Sequence, residues 1–252
     1  MRRRMFLSLA AAPLAAACSR AETAVPGATG AAGTTTAAGP VASAAAMRVE
    51  VWHDLVCPWC RIGLHNLGVA LDAWSGPAVE VVLRPYLLEP DAPPAGFDLR
   101  ERLQKKLGAP PEQAFARVSE AGAKYGVRFD WEKVRVSPAT AKGHALLAWA
   151  PREKQRAVLE VLHHVHFEDG ANLGDDAVLV QIAKGAGLDG DAARAAVNDA
   201  ARIAEVRAGA RAASSLGIDG VPHFRFGARR LHGAQSPEAL RAAIEGLARS
   251  AG

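Results

Sequence analysis

Apolar and polar positions alternate from Met47 to His53 (Met-Arg-Val-Glu-Val-Trp-His), a period of two that predicts a β-strand. A Cys-Pro-Trp-Cys turn follows, and the period then changes. Ile62, Leu64, Leu67, Ala70 and Leu71 recur at helical spacing. Val79 to Leu83 reads as a second strand, ended by Pro85 and Pro90. A strand reached through a helix is a βαβ unit, for which a parallel pair and a right-handed crossover are expected. From about Phe97 to Leu216 the pattern is helical throughout, with apolar stripes such as Ala114/Val118/Ala121/Tyr125, Val158/Leu159/Val161/Leu162/Val165 and Val178/Leu179/Ile182/Ala183. No strand pattern is visible between Arg84 and Val221. Alternation returns at His223–Phe226, Gly227 supplies a turn, and Arg229–His232 is a short partner strand. Ser236-Pro237-Glu238 opens a last helix, with serine as N-cap, proline in the first turn and an early acid. Its buried stripe is Leu240, Ala243, Ile244 and Leu247. The reading is α/β: βαβ, a large all-helical insertion at about 97–200, then ββα.

The first 46 residues follow neither period. Arg2, Arg3 and Arg4 precede an uncharged apolar run, Met5–Ala17, that is shorter than the roughly 20 residues a bilayer span needs. Residues 1–17 read as an export signal peptide. Arg3-Arg4-Met5-Phe6-Leu7 is similar to a twin-arginine export signal, and Leu14-Ala15-Ala16-Ala17-Cys18 resembles a bacterial lipobox, which implies lipidation at Cys18. Residues 18–46, almost all small or Pro, Thr and Val, read as a flexible tether. Residues 47–252 are the folded domain. Met47 is an alternative start that would make the protein cytosolic, but a complete export signal upstream argues for the periplasm, with possible membrane tethering through lipid on Cys18.

Composition narrows the partners. Half the residues are hydrophobic, enough for a packed core. The net charge is +4 at neutral pH, and the three N-terminal arginines supply most of it. The remainder is no footprint for nucleic acid, which requires clustered positive charge.

The chain has three cysteines, Cys18, Cys57 and Cys60. With Cys18 taken by the lipobox, the domain keeps one close pair. Disulfide exchange needs a thiolate, a second thiol to resolve the mixed disulfide, and access for another chain. Cys-x-x-Cys at a helix start supplies all three. Residues i and i+3 share a helical face, and unpaired N–H groups with the helix dipole favour negative charge on the first sulfur. Cys57 is expected to have a depressed pKa and Cys60 to be the more buried. Pro58 suits the first turn, and Trp59 offers an apolar platform for substrate. The alternatives are a structural disulfide or half a zinc site. No second Cys-x-x-Cys exists to complete four ligands. His163, His164 and His166 read as a solvated or partly packed helix face rather than as ligands, and no metal site or cofactor is expected. The second candidate element is Gly220-Val221-Pro222 before a strand, where an X-Pro bond is either cis or an ordinary trans loop end.

Asp54-Leu55-Val56-Cys57-Pro58-Trp59-Cys60-Arg61-Ile62-Gly63, Arg84-Pro85-Tyr86-Leu87-Leu88-Glu89-Pro90, His144, Phe167-Glu168-Asp169-Gly170, and Gly220-Val221-Pro222 through Gly233-Ala234-Gln235 span nearly all of residues 47–250. Together they resemble the DsbA family of thioredoxin-fold thiol–disulfide oxidoreductases, and most closely its FrnE-like branch. The resemblance implies a thioredoxin-like fold with Cys57 as nucleophile, Cys60 as resolving thiol and a cis Pro222 beside them, and it places the Val221 backbone where a substrate strand pairs. Three positions depart from the pattern. His223 follows the proline where an aromatic is usual, Ala139-Thr140 stands for Asn-Thr, and Val51 occupies the place of a buried acid found six residues before the first cysteine in some relatives. Glu50 is expected to point away, so no proton-relay carboxylate is assigned.

These readings converge on an exported protein disulfide oxidoreductase that exchanges the Cys57–Cys60 disulfide with cysteine-containing polypeptides and needs a further, unidentified redox partner. An alternative is a glutathione-dependent small-molecule isomerase of the 2-hydroxychromene-2-carboxylate isomerase type, which shares the scaffold but typically has serine at the first cysteine. A copper-handling thiolate site is weaker still, for want of further soft ligands.

Overall fold

The computed structural model describes residues 47–251. The expected signal peptide, Cys18 and tether lie outside the described residues.

Four strands form one sheet in the order β2-β1-β5-β6. β1 (Met47–His53) pairs in parallel with β2 (Val79–Pro85) and antiparallel with β5 (His223–Phe226), which pairs antiparallel with β6 (Arg229–His232). The parallel pair is joined through α1 (Pro58–Asp72). β2 runs two residues past the expected Leu83 end, and Pro85 still pairs with His53. As an edge strand β2 has one row of N–H groups without a ladder partner, so the missing N–H of Pro85 breaks nothing.

The two faces of the sheet pack differently because side chains alternate along each strand. Val49, Val51, Phe224 and Phe226 bury one face against Leu67 and Ala70 of α1 and Leu240, Ala243 and Ile244 of α9 (Pro237–Ala251). On the other face Trp52 packs with Ala213 and Ile218. The start of α9 is capped by Ser236, whose Oγ accepts from the Ala239 N–H at 3.2 Å.

In sequence, the chain between β2 and β5 forms α2 (Leu99–Leu107), α3 (Glu112–Ala123), α4 (Ala141–Trp149), α5 (Arg152–Phe167), α6 (Asp176–Gly185), α7 (Gly190–Val197) and α8 (Ala200–Ser215). Asp98, Asp175, Asp189 and Asp199 cap α2, α6, α7 and α8, each carboxylate accepting an otherwise unpaired N–H. A second core forms among Leu146, Leu159, Leu162, Leu179, Ile182 and Val197, with Leu55 reaching into it from the segment that carries the cysteines. The region is not purely helical, as the pattern had suggested. β3 (Phe97–Asp98) pairs with β4 (Val136–Ser137) as a two-residue antiparallel ladder.

Candidate active site

Cys57 is the N-cap of α1, with extended backbone, no side-chain cap bond, Pro58 at the start of the helix and no acid in its first turn. The local sequence requires this. The proline has no N–H to lose there, and the helix begins on a sulfur facing unpaired backbone donors. Its own N–H donates to the Asp54 carbonyl at 3.2 Å, fixing the turn from β1. The Sγ donates to the Val221 carbonyl at 3.7 Å, across 164 positions of sequence. The Val221–Pro222 peptide bond is cis. Both cysteines are free thiols here, with Cys57 5% exposed and Cys60 fully buried. Burial, and next a hydrogen bond with Cys57, push the Cys60 thiol well above its usual value. Of the residues expected beside the sulfurs, Pro58 is half-buried and Trp59 is 39% exposed.

Gly63 lets helix and proline meet. A Cβ there would stand 2.9 Å from the Pro222 Cγ and 3.1 Å from the Phe224 Cζ, closer than packed atoms tolerate. Two residues earlier Arg61 is buried, paired with Glu168, and set over the rings of Phe129 and Phe167 at 5.2 and 5.6 Å. Glu168 also binds Arg128 and His164. The Phe-Glu-Asp-Gly run therefore anchors the start of α1 to α5.

His223 does not face the sulfurs in its packing. Its ring sits between Trp52, at a centroid distance of 5.6 Å, and His232, at 4.3 Å. Burial holds it below the ordinary histidine value, with His232 adding to the effect. Glu50 does point away from the cysteine side, as expected. It pairs with Arg84 on β2 and Arg225 on β5, bridging three strands. Val51 is part of the apolar core.

The expected helix face of His163, His164 and His166 divides. His164 is exposed, whereas His163 and His166 are buried. Among the described residues no group of three or more His, Cys, Asp or Glu side chains is arranged to hold a metal ion. Two further histidines are buried, His53 at the end of β1 and His144 in α4, together with a fully buried Asp54; His144 and Asp54 are among the residues that carry the family resemblance, but their burial is not foreseen from the sequence. His144 Nε2 lies 3.8 Å from Asp54 Oδ1, and the His53 and His144 rings are 5.0 Å apart. Burial holds His53 well below the usual histidine value and brings His163 to about 3 and His166 to about 4.

These depressed values carry a stability consequence. Below pH about 6.5 the unfolded chain binds protons at these histidines and the folded chain does not, so acid favours unfolding. The stability is fully present above 6.5 and is lost as the pH falls toward 3 to 4. Stability from thermal unfolding should drop between pH 7 and 5, before Glu168 and the other ion-paired carboxylates titrate. His163→Leu should flatten that slope, because leucine takes up no proton on unfolding, and the substitution removes no hydrogen bond at Nε2. An unchanged slope would remove His163 from the account.

Comparison with known proteins gives the same grouping. The chain is 35% identical to the probable DsbA oxidoreductase of Streptomyces coelicolor, over 81% of this chain and 90% of that one, with a TM-score of 0.70. It is 24% identical to YwbO of Bacillus subtilis, over 79% of this chain and 96% of that protein. A 2-hydroxychromene-2-carboxylate isomerase structure superposes with a TM-score of 0.63 at 15% identity, over 81% of this chain and 97% of that one, a likeness of fold alone. The family model for the DSBA-like thioredoxin domain matches residues 48–245. With that match covering most of its length, the chain belongs to the DSBA-like thioredoxin domain family.

Proposed function

We propose that this protein is an exported thiol–disulfide oxidoreductase that exchanges the Cys57–Cys60 disulfide with cysteines of polypeptide substrates. One observation carries the reading. A nearly buried sulfur caps a helix opposite the Val221 carbonyl, with a second, fully buried thiol behind it. In the oxidising direction a substrate thiolate attacks the Cys57 sulfur, the Cys57–Cys60 bond breaks, and Cys60 leaves as thiolate. A second substrate thiolate then attacks the substrate sulfur of the mixed disulfide and expels Cys57. Two electrons pass from substrate to protein, and the reverse sequence reduces a substrate disulfide. An extended substrate backbone would pair beside Val221, with Trp59 as an apolar platform. The N-terminal pattern supports export to the bacterial periplasm, with lipid on Cys18 and the tether holding the domain near a membrane. A separate redox partner resets the pair.

The test is equilibration of the protein in thiol–disulfide buffers of graded potential, with the pair read by thiol labelling. A single two-electron transition between about −120 and −270 mV is expected, the span of catalytic pairs on this fold. A potential below about −300 mV would mark a structural disulfide and overturn the reading. Turnover of 2-hydroxychromene-2-carboxylate by a Cys57→Ser, Cys60→Ser variant would do the same.

A further inference from the structure

If the pair exchanges disulfides with polypeptides, the chain on either side of the substrate cysteine must lie against the protein next to Cys57. The Val221 carbonyl, 3.7 Å from the Cys57 Sγ, marks that place. Val221 packs in one cluster with Trp52, Tyr86, Ala213 and Ile218. Tyr86 is also a wall of an open groove of about 380 Å³ between the segment that follows β2 and the C-terminal half of α8. The cluster thus joins the site of substrate pairing to this groove through a single side chain. Gly209 fixes the distance between the groove's walls. A Cβ there would stand 3.2 Å from the Pro85 Cγ, so α8 lies directly on the end of β2. Leu87 and Ala210 extend the apolar lining begun by Tyr86, and Arg207 and Arg211 line the same groove. At i and i+4 the two arginines share one face of α8. Arg207 is half-buried, and its Nη1 donates to the Pro90 carbonyl at 2.9 Å, which ties α8 to the opposite wall. Arg211 is exposed. Asp91 is the single carboxylate among the lining residues, against two guanidinium groups, so the groove carries an excess of positive charge.

We propose that this groove receives the polypeptide flanking the substrate cysteine, and that Arg207 and Arg211 select substrates with an acidic side chain near that cysteine. The inference rests on the redox reading of the pair and names the substrate class for it. An extended chain advances by roughly 3.3 Å per residue, so the acid falls within about four residues of the cysteine. A guanidinium fork accepts a carboxylate through two parallel hydrogen bonds, while the apolar lining takes the neighbouring side chains. A lysine in the same place meets two like charges and is rejected.

The test uses the reduced full chain and short synthetic peptides, each with one cysteine activated as its 2-thiopyridyl disulfide. Cys57 attacks the peptide sulfur, the bond to the pyridyl sulfur breaks, and pyridine-2-thione leaves at a rate that reads binding and attack together. Peptides carrying Asp, Asn or Lys at each flanking position are compared. At low salt the best-placed Asp peptide should react roughly 10-fold faster than its Asn twin, and the Lys peptide more slowly. The advantage should shrink as salt rises. Arg211→Glu should reverse the preference, Arg207→Gln should weaken it, and Asp91→Asn should strengthen it. Arg229→Glu makes the same charge change on the exposed strand β6 and should leave the preference intact. An Asp advantage of equal size near to and far from the cysteine would overturn the proposal, since it would mean general attraction. So would a preference unaltered in Arg211→Glu, or lost equally in Arg229→Glu. Rapid thione release with no preference among the peptides would overturn the proposal and leave the redox reading standing. Release no faster than with free cysteine would refute the redox reading itself, and the proposal with it.

Discussion

Cys57→Ser should reduce disulfide exchange to background, a loss of at least ~10³-fold on a probe such as insulin reduced by dithiothreitol. The sulfur at the N-cap of α1 is the one that contacts the Val221 carbonyl and is not fully sealed. A serine hydroxyl in the same place keeps the shape and removes the nucleophile. Cys60→Ser should behave differently. The first attack remains possible, but no thiol stands behind Cys57 to expel the substrate, so a mixed disulfide accumulates. It should survive denaturation, migrate as an adduct on non-reducing gels and vanish with reductant. Residual exchange by Cys57→Ser, or an adduct carried by Cys60 in that variant, would reverse the assigned roles.

The largest expected loss of stability follows Phe224→Ala. Phe224 is fully buried in β5, paired opposite Val51 and packed in the core that α1 and α9 share with the sheet. Removing a buried aromatic ring destabilises by about 3–5 kcal/mol, through lost transfer energy and the cavity left behind. For a domain of this size that corresponds to a Tm lower by roughly 6–20 °C. The ring also lies against Gly63 on the turn of α1 that approaches Pro222, so the rest of the cluster has little freedom to collapse into the space. Urea unfolding measures the effect, with Leu216→Ala as reference. Leu216 is 44% exposed, and its truncation should stay within about 0.5 kcal/mol. Equal losses at the two positions would mean that the core between sheet, α1 and α9 is not where the stability resides.

Much of this architecture is visible in the chain because the two periods differ. The alternation in Met47–His53 and His223–Phe226 can be nothing but strand, and Cys57-Pro58 at the change of period marks the start of α1. Two residues cannot show an alternation, so the β3–β4 ladder leaves no trace in the pattern. Pro85 reads as a terminator because sequence does not reveal that β2 is an edge strand. Titratable residues default to the surface in any reading of composition, which hid the histidines. A signal was present. Leu159, Leu162, His163 and His166 fall at i, i+3, i+4 and i+7, a single face of α5, and all four are buried. Asp54 is harder, since an acid just after a strand is ordinarily a turn residue. Its burial depends on the Leu88 N–H, supplied 34 positions later, a long-range partner that no local pattern encodes.

The sheet has two open sides, and each is unfriendly to a visiting strand. β2 presents Glu80 and Arg84 and finishes on Pro85, while β6 presents Arg229 and Arg230. Charge and proline on exposed ladders discourage end-on growth into oligomers and fibrils. Both edges of the sheet are thus poor templates for aggregation.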